Sequence, residues 1–106
     1  MKTYKIVVHV PEAAGDAVRH AMGEAGAGRI GNYDHCSFTS KGTGRFRPLA
    51  GANPAIGAVG RLETVEEERI EAVCAGDRLR SVIQAIRSAH PYEEPTIDVY
   101  ALERVD

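Results

Sequence analysis

A strand-like segment followed by a helix-like segment occurs twice in this chain, over 4–25 and again over 67–90. A long stretch without helical periodicity lies between them. In the first unit, YKIVVHV is β-branched and apolar until Pro11 stops it. Alternation puts Tyr4, Ile6, Val8 and Val10 on one face and Lys5, Val7 and His9 on the other. Apolar groups on both faces predict an interior strand. His9 is the exception, and in such a strand it is expected to be a satisfied structural group.

Residues 12–25 then recur apolar at Ala14, Ala17, Val18, Ala21, Met22 and Ala25, which is helical spacing. Pro11 suits the first turn, Glu12 and Asp16 suit its positive end, and Gly26 can close the helix. Gly15 and Gly23 are expected to weaken it by up to ~1 kcal/mol each relative to alanine. His20 is expected to face solvent and receives no role. In the second unit a strand over 67–74 buries Ile70, Ala72 and Cys74. Gly76-Asp77 opens a helix carrying Leu79, Val82, Ile83 and Ile86 at i, i+3, i+4 and i+7, and His90-Pro91 ends it. A last strand over 95–105 alternates Ile97, Val99 and Ala101 against Asp98, Tyr100 and Leu102.

Between the units, 33–40 alternates as a strand, with Tyr33, His35, Ser37 and Thr39 on one face and Asp34, Cys36 and Phe38 on the other. Cys36 and Phe38 are expected in the core. SKGTG reads as a turn, GRFRPL as a short returning strand, and 49–62 as an ordered loop anchored by Ile56 and Val59. The acidic run Glu63, Glu66, Glu67, Glu68 and Glu71 reads either as the solvated side of an edge strand or as a partner for a neighbouring copy's basic loop. The order β-α-β-β-loop-β-α-β predicts one α+β domain over 1–106. Its fold is a ferredoxin-like βαββαβ sandwich, an antiparallel sheet with two helices on one face. The other face would carry Val7, Tyr33, Val73, Tyr100 and Leu102, and is expected to be covered by self-association.

Function points to 26–61, which holds 8 of the 11 glycines and sets Arg29, Lys41, Arg45, Arg47 and Arg61 against Asp34 alone. Backbone donors freed by glycine beside arginines are what an anion site requires; glycine-served turns in a mobile hairpin are the plainer reading. The net charge of −2 gives no general reason to bind nucleic acid or an anionic membrane. Cys36 and Cys74 form neither a disulfide framework nor a CxxC pair. MKTYKIVVHVPE is too short for a signal peptide, and no apolar run approaches ~18 residues, so the expected compartment is the cytoplasm.

HPYEEPTI, over 90–97, resembles the HPYEVPEI motif of the CutA divalent-ion tolerance proteins, from which it differs at Glu94 and Thr96. Those are ferredoxin-like trimers related in architecture to the PII signalling proteins. GAGRIGNYDHCSF and GTGRFRPLAGANPAIGAVGRLE resemble the CutA/PII-like domain inserted in YqfO-type, Nif-three-like dinuclear-metal proteins. That resemblance spans about 4–103 and implies the inserted domain standing alone. The flanking halves that hold the metal centre have no counterpart here, so their chemistry does not carry over. Gly28, Ile30, Gly31, Asn32 and Tyr33 match the inserted domain's loop; His90, Pro91, Tyr92, Glu93 and Pro95 match the CutA motif.

No nucleophile elbow, Walker loop or HExxH is present, and no residue is assigned a catalytic role. Two binding readings stand. In one, a homotrimer takes an anionic small molecule at its intersubunit clefts, held by Gly28, Ile30, Gly31, Asn32 and Tyr33 with Gly42, Gly44, Arg45, Arg47 and Tyr92. In the other, His90 and Glu93 hold a divalent metal with His35 as a third ligand, against the plainer role of His90 as a cap on its helix. A third reading is a trimerising module that presents the 40–62 loop to a protein partner.

Overall fold

Ile6, Val8 and Val10 are fully buried on the strand Thr3–Pro11, here β1, which lies inside the sheet as its two-sided pattern predicts. The computed structural model describes residues 2–103 and 105. The other strands are β2 (Phe38–Phe46), β3 (Glu63–Ala75) and β4 (Ile97–Ala101), and the antiparallel order is β2-β3-β1-β4. Helices α1 (Gly15–Ala25) and α2 (Leu79–Ala89) each follow a short 3₁₀ turn and cover one face of the sheet. Val18 and Met22 of α1 and Val82 and Ile86 of α2 pack on Ile6, Val8, Val10, Ile70, Ala72 and Cys74. Each large side chain so buried contributes about 1.5–3 kcal/mol from removal of apolar area from water. The fold is the expected ferredoxin-like α+β arrangement.

Gly26 closes α1 with a left-handed φ of 114°. The buried side of α1, however, is Gly15, Val18, Met22 and Gly23, while Ala17 is exposed. The two glycines do more than weaken the helix. Gly15 lets Glu68 approach and Gly23 lets the ring of His35 lie against the helix.

Four sequence expectations fail for tertiary reasons. The SKGTG segment is no turn: Ser40–Gly44 run through the middle of β2, paired with Arg69–Val65 of β3. The ladder supplies hydrogen bonds that outweigh a weak local turn preference. The segment before it is irregular rather than a strand; His35 takes a φ of 55°, Cys36 is half-buried, and Phe38 is 68% exposed instead of joining the core. The acidic run is not the outside of an edge, because β3 lies between β1 and β2. Two of its carboxylates are ion-paired: Glu68 binds Arg19 at 2.7 Å, and Glu71 binds Arg69 at 2.9 Å and Lys5 at 3.7 Å.

The helix-free face is mixed rather than apolar. Val7 is buried at its centre beside the Lys5–Glu71–Arg69 cluster, and Val73 is half-buried. Tyr33 lies outside the sheet and is 75% exposed; Tyr100 is 50% exposed.

Candidate functional site

The register makes a projection. β1 stops pairing with β3 at Pro11↔Glu67, whereas β2 continues along β3 to Phe46↔Glu63. Four residues of ribbon therefore extend past the sheet, about 13 Å at the rise of a strand. Residues 47–62 leave this ribbon and fold back, where the Asn53 amide donates to Glu93 Oε2 at 2.8 Å. A cleft of about 580 Å³ opens between the ribbon, this loop and the 92–96 segment.

Tyr92 and Phe46 form one wall, their rings edge to face with centroids 5.8 Å apart. The Tyr92 hydroxyl donates to Glu67 Oε2 at 3.1 Å. Burial, and then that carboxylate, push the Tyr92 phenol up to about 12. Glu67 is only 9% exposed, so the phenol supplies the hydrogen bond that a buried carboxylate needs. Nothing local in the sequence singles out Glu67, because its partner lies 25 residues away.

Arg45, Arg47 and Gly44 line the cleft with Tyr92 and Glu93. Gly42 is one step away on β2, paired with Glu67, at a smaller hollow of about 270 Å³. Among the described residues, Arg45 and Arg47 have no carboxylate within ion-pair distance. The cleft thus holds two unpaired cations, whereas Glu67 and Glu93 already accept hydrogen bonds; Glu94 also lines it.

The other half of the expected anion site is elsewhere. The Gly28 amide donates to Val73 O at 2.7 Å, and Ile30 and Tyr33 close a tight turn around Gly31 and Asn32 with paired backbone bonds of 3.0 and 2.9 Å. Arg45 pairs with Thr64. Val73 and Thr64 are nine residues apart on β3, about 30 Å, so one chain cannot wrap both groups around one small molecule.

The expected metal set does not converge within the chain either. His90 is buried, its Nε2 lying 2.7 Å from His9 O while the Tyr92 amide donates to its Nδ1 at 3.1 Å. A carbonyl only accepts and an amide only donates, so Nε2 carries the hydrogen and Nδ1 the lone pair. Both nitrogens are spent inside the fold. The ring does not cap its helix; the backbone N–H of His90 does, at 2.8 Å from Ile86 O. His35 sits against α1, with Nε2 3.0 Å from Glu24 and Nδ1 3.2 Å from Asp34. Those hydrogen bonds, Asp34 first, raise its pKa against partial desolvation. His20, which the sequence left without a role, is the third member of this group; its i,i+4 spacing from Glu24 on an exposed helix face was the available signal.

No family model matches the chain. It is 52% identical over 99 residues to a GTP cyclohydrolase 1 type 2 homolog of Halalkalibacterium halodurans, covering 93% of this chain and 27% of that protein. The chain thus spans about a quarter of the length of the curated relatives it matches. Among solved structures, a Bacillus cereus protein related to NIF3 superposes with a TM-score of 0.84 at 48% identity, over 97% of this chain and 26% of that one. The periplasmic divalent cation tolerance protein CutA of Archaeoglobus fulgidus superposes with a TM-score of 0.70 over 97% of this chain and 86% of its own, at 15% identity, a likeness of fold alone. Among the described residues no helix is long and apolar enough to cross a membrane. Fold, motifs and relatives agree that this chain has a CutA-like, ferredoxin-like fold and resembles a domain of the GTP cyclohydrolase 1 type 2 homologs, the NIF3/YqfO-type proteins.

Proposed function

We propose that the chain is a non-catalytic, small-ligand-binding regulatory domain that assembles as a homotrimer and takes an anionic small molecule at its intersubunit clefts. The observation that carries this reading is the pair Arg45 and Arg47, without ion partners among the described residues, beside the aromatic wall of Tyr92 and Phe46. Guanidinium groups bind planar oxyanions through charge-assisted hydrogen bonds, and an aromatic face suits a ring on the same ligand. Gly42 leaves the ribbon backbone open to approach, whereas the Glu67 carboxylate lies against Gly44. A neighbouring copy would bring its Gly28, Ile30, Gly31, Asn32 and Tyr33 to the cleft, which explains why the two halves lie about 30 Å apart in one chain. Exposed Tyr33, Phe38 and Tyr100 supply apolar surface for the association.

A thermal-shift screen of phosphate-bearing compounds at low and high salt tests ligand binding. Arg45→Ala is expected to weaken the response by ~1.5–3 kcal/mol. Identical responses of wild type and variant to every such compound would sink the anion reading. Light scattering that finds a stable 11.4 kDa monomer at micromolar concentration would remove the trimer and its intersubunit site.

Exposed Leu49, Val59 and Leu62 on the 47–62 loop favour a second reading, in which the loop docks a protein partner. Replacing Val59 and Leu62, which do not line the cleft, by serine leaves any ligand response intact and weakens only that docking.

A further inference from the structure

Away from the cleft, one turn of α1 and the segment before β2 bring together three side chains of metal-ligand type. His20 and Glu24, one helical turn apart, project from the exposed face of α1. His35 comes from the loop and lies over Gly23, where a methyl group would collide with its ring. One donor atom from each of His20, Glu24 and His35 lies within 4.8 Å of the other two, and this is the one such group of three among the described residues. His35 Nε2 and Glu24 Oε2 are already 3.0 Å apart. The edge of a tetrahedral zinc shell with bonds near 2.0 Å is about 3.3 Å, so this pair is close to ligand spacing. His20 has its ring centroid 6.2 Å from that of His35, and one of its ring nitrogens lies within 4.8 Å of the other two donor atoms.

We infer that His20, Glu24 and His35 form a binding site for a divalent transition-metal ion of the zinc class, with Asp34 orienting His35. Two imidazoles and one carboxylate are a borderline donor set that suits zinc better than calcium or magnesium, which favour all-oxygen shells. The fourth position is left for water or for a ligand from outside the chain.

Asp34 makes the cluster more than an accident of three polar side chains. Its Oδ1 lies 3.2 Å from His35 Nδ1, on the far side of the ring from Glu24. A carboxylate on the second nitrogen fixes the tautomer that presents Nε2 and raises its basicity, the usual support of a metal-bound imidazole. The backbone is committed as well. His35 is the one described non-glycine residue with positive φ, at 55°, and that turn aims its ring back at α1. Gly23 completes the arrangement by clearing the helix surface beneath the ring. The site shares no residue with the cleft assigned to the anion, so the two readings fail or stand separately.

The test uses untagged chain stripped by a chelator and titrated with zinc against a chromogenic competitor, then with cobalt for its visible spectrum. The expected result is saturable uptake of one zinc per chain and cobalt bands of low-coordinate geometry. Asp34→Asn weakens zinc binding about tenfold, as loss of an outer hydrogen bond does. Loss of a direct ligand in His20→Ala or His35→Ala costs more, on the order of 100-fold. Glu93→Gln leaves uptake unchanged. All four positions are on the surface, and circular dichroism confirms that each variant folds. No saturable uptake by the wild type overturns the inference; so does uptake that survives both histidine replacements, or uptake that Glu93→Gln removes.

Discussion

His90 donates from Nε2 to the carbonyl oxygen of His9 at 2.7 Å, tying the exit of α2 to the end of the central strand. The Tyr92 amide completes the clamp at Nδ1, so the HPY motif is a joint that sets the path of 91–96 along the cleft. His90→Ala leaves a buried carbonyl and an amide without partners and is expected to destabilise the fold by about 1–3 kcal/mol. Urea denaturation measures the loss. Zinc uptake by the same variant is expected to equal that of the wild type, which separates this joint from the metal ligands.

Tyr92 should be the late phenol among the four tyrosines. Burial and Glu67 raise it from 10.0 to about 12, because the ionised form is desolvated and repelled by the carboxylate. A raised folded pKa contributes stability that is fully present below the unfolded value and is lost as pH rises through the folded one. Stability should therefore fall between about pH 10 and pH 12. Spectrophotometric titration of tyrosinate checks the value. Tyr92→Phe should abolish this part of the pH dependence; a Tyr92 that ionises with the other phenols would contradict the Glu67 contact.

Arg19 joins α1 to the sheet. Its guanidinium binds Glu68 at 2.7 Å, Thr39 at 3.2 Å and Asp16 at 2.6 Å. The Glu68 side chain is mostly buried, so Arg19→Ala strands a desolvated carboxylate. The expected cost is about 1–3 kcal/mol, read as a lower denaturation midpoint at unchanged slope. A double variant with Glu68→Gln should recover part of it.

Gly23→Ala sets two effects against each other. Alanine in a helix interior is favoured over glycine by up to ~1 kcal/mol, which works towards a higher melting temperature. The added methyl would meet the ring of His35, so the ring must leave Glu24. The variant should keep the stability of the parent or exceed it, and bind zinc more weakly. Undiminished zinc affinity would show that the ring has no need of its present seat.

The two strand–helix units, the central place of β1, the core faces of Val82 and Ile86 and the closure of α1 at Gly26 were all legible in the sequence. They are set by periodicity and by residues a few positions apart, where local sterics and apolar spacing act directly. The residues expected to hold an anion were legible as types but not as a place: glycine and arginine content in 26–61 carries no distance, and β3 separates the two halves. The turn at SKGTG was over-read for a related reason. Its glycines allow a turn, but pairing with β3 decides the conformation. Glu67 with Tyr92, His90 with His9, and Glu24 with His35 are separated by 25, 81 and 11 positions. Strand register and helix docking bring these groups into hydrogen-bond range, and the free energy that selects them comes from the buried core as a whole. One-dimensional spacing has no access to that term. The two strand–helix units and the buried stripe of α2 belong to the sequence; the single strand in place of the expected hairpin, and the identity of each polar partner, were decided by tertiary packing.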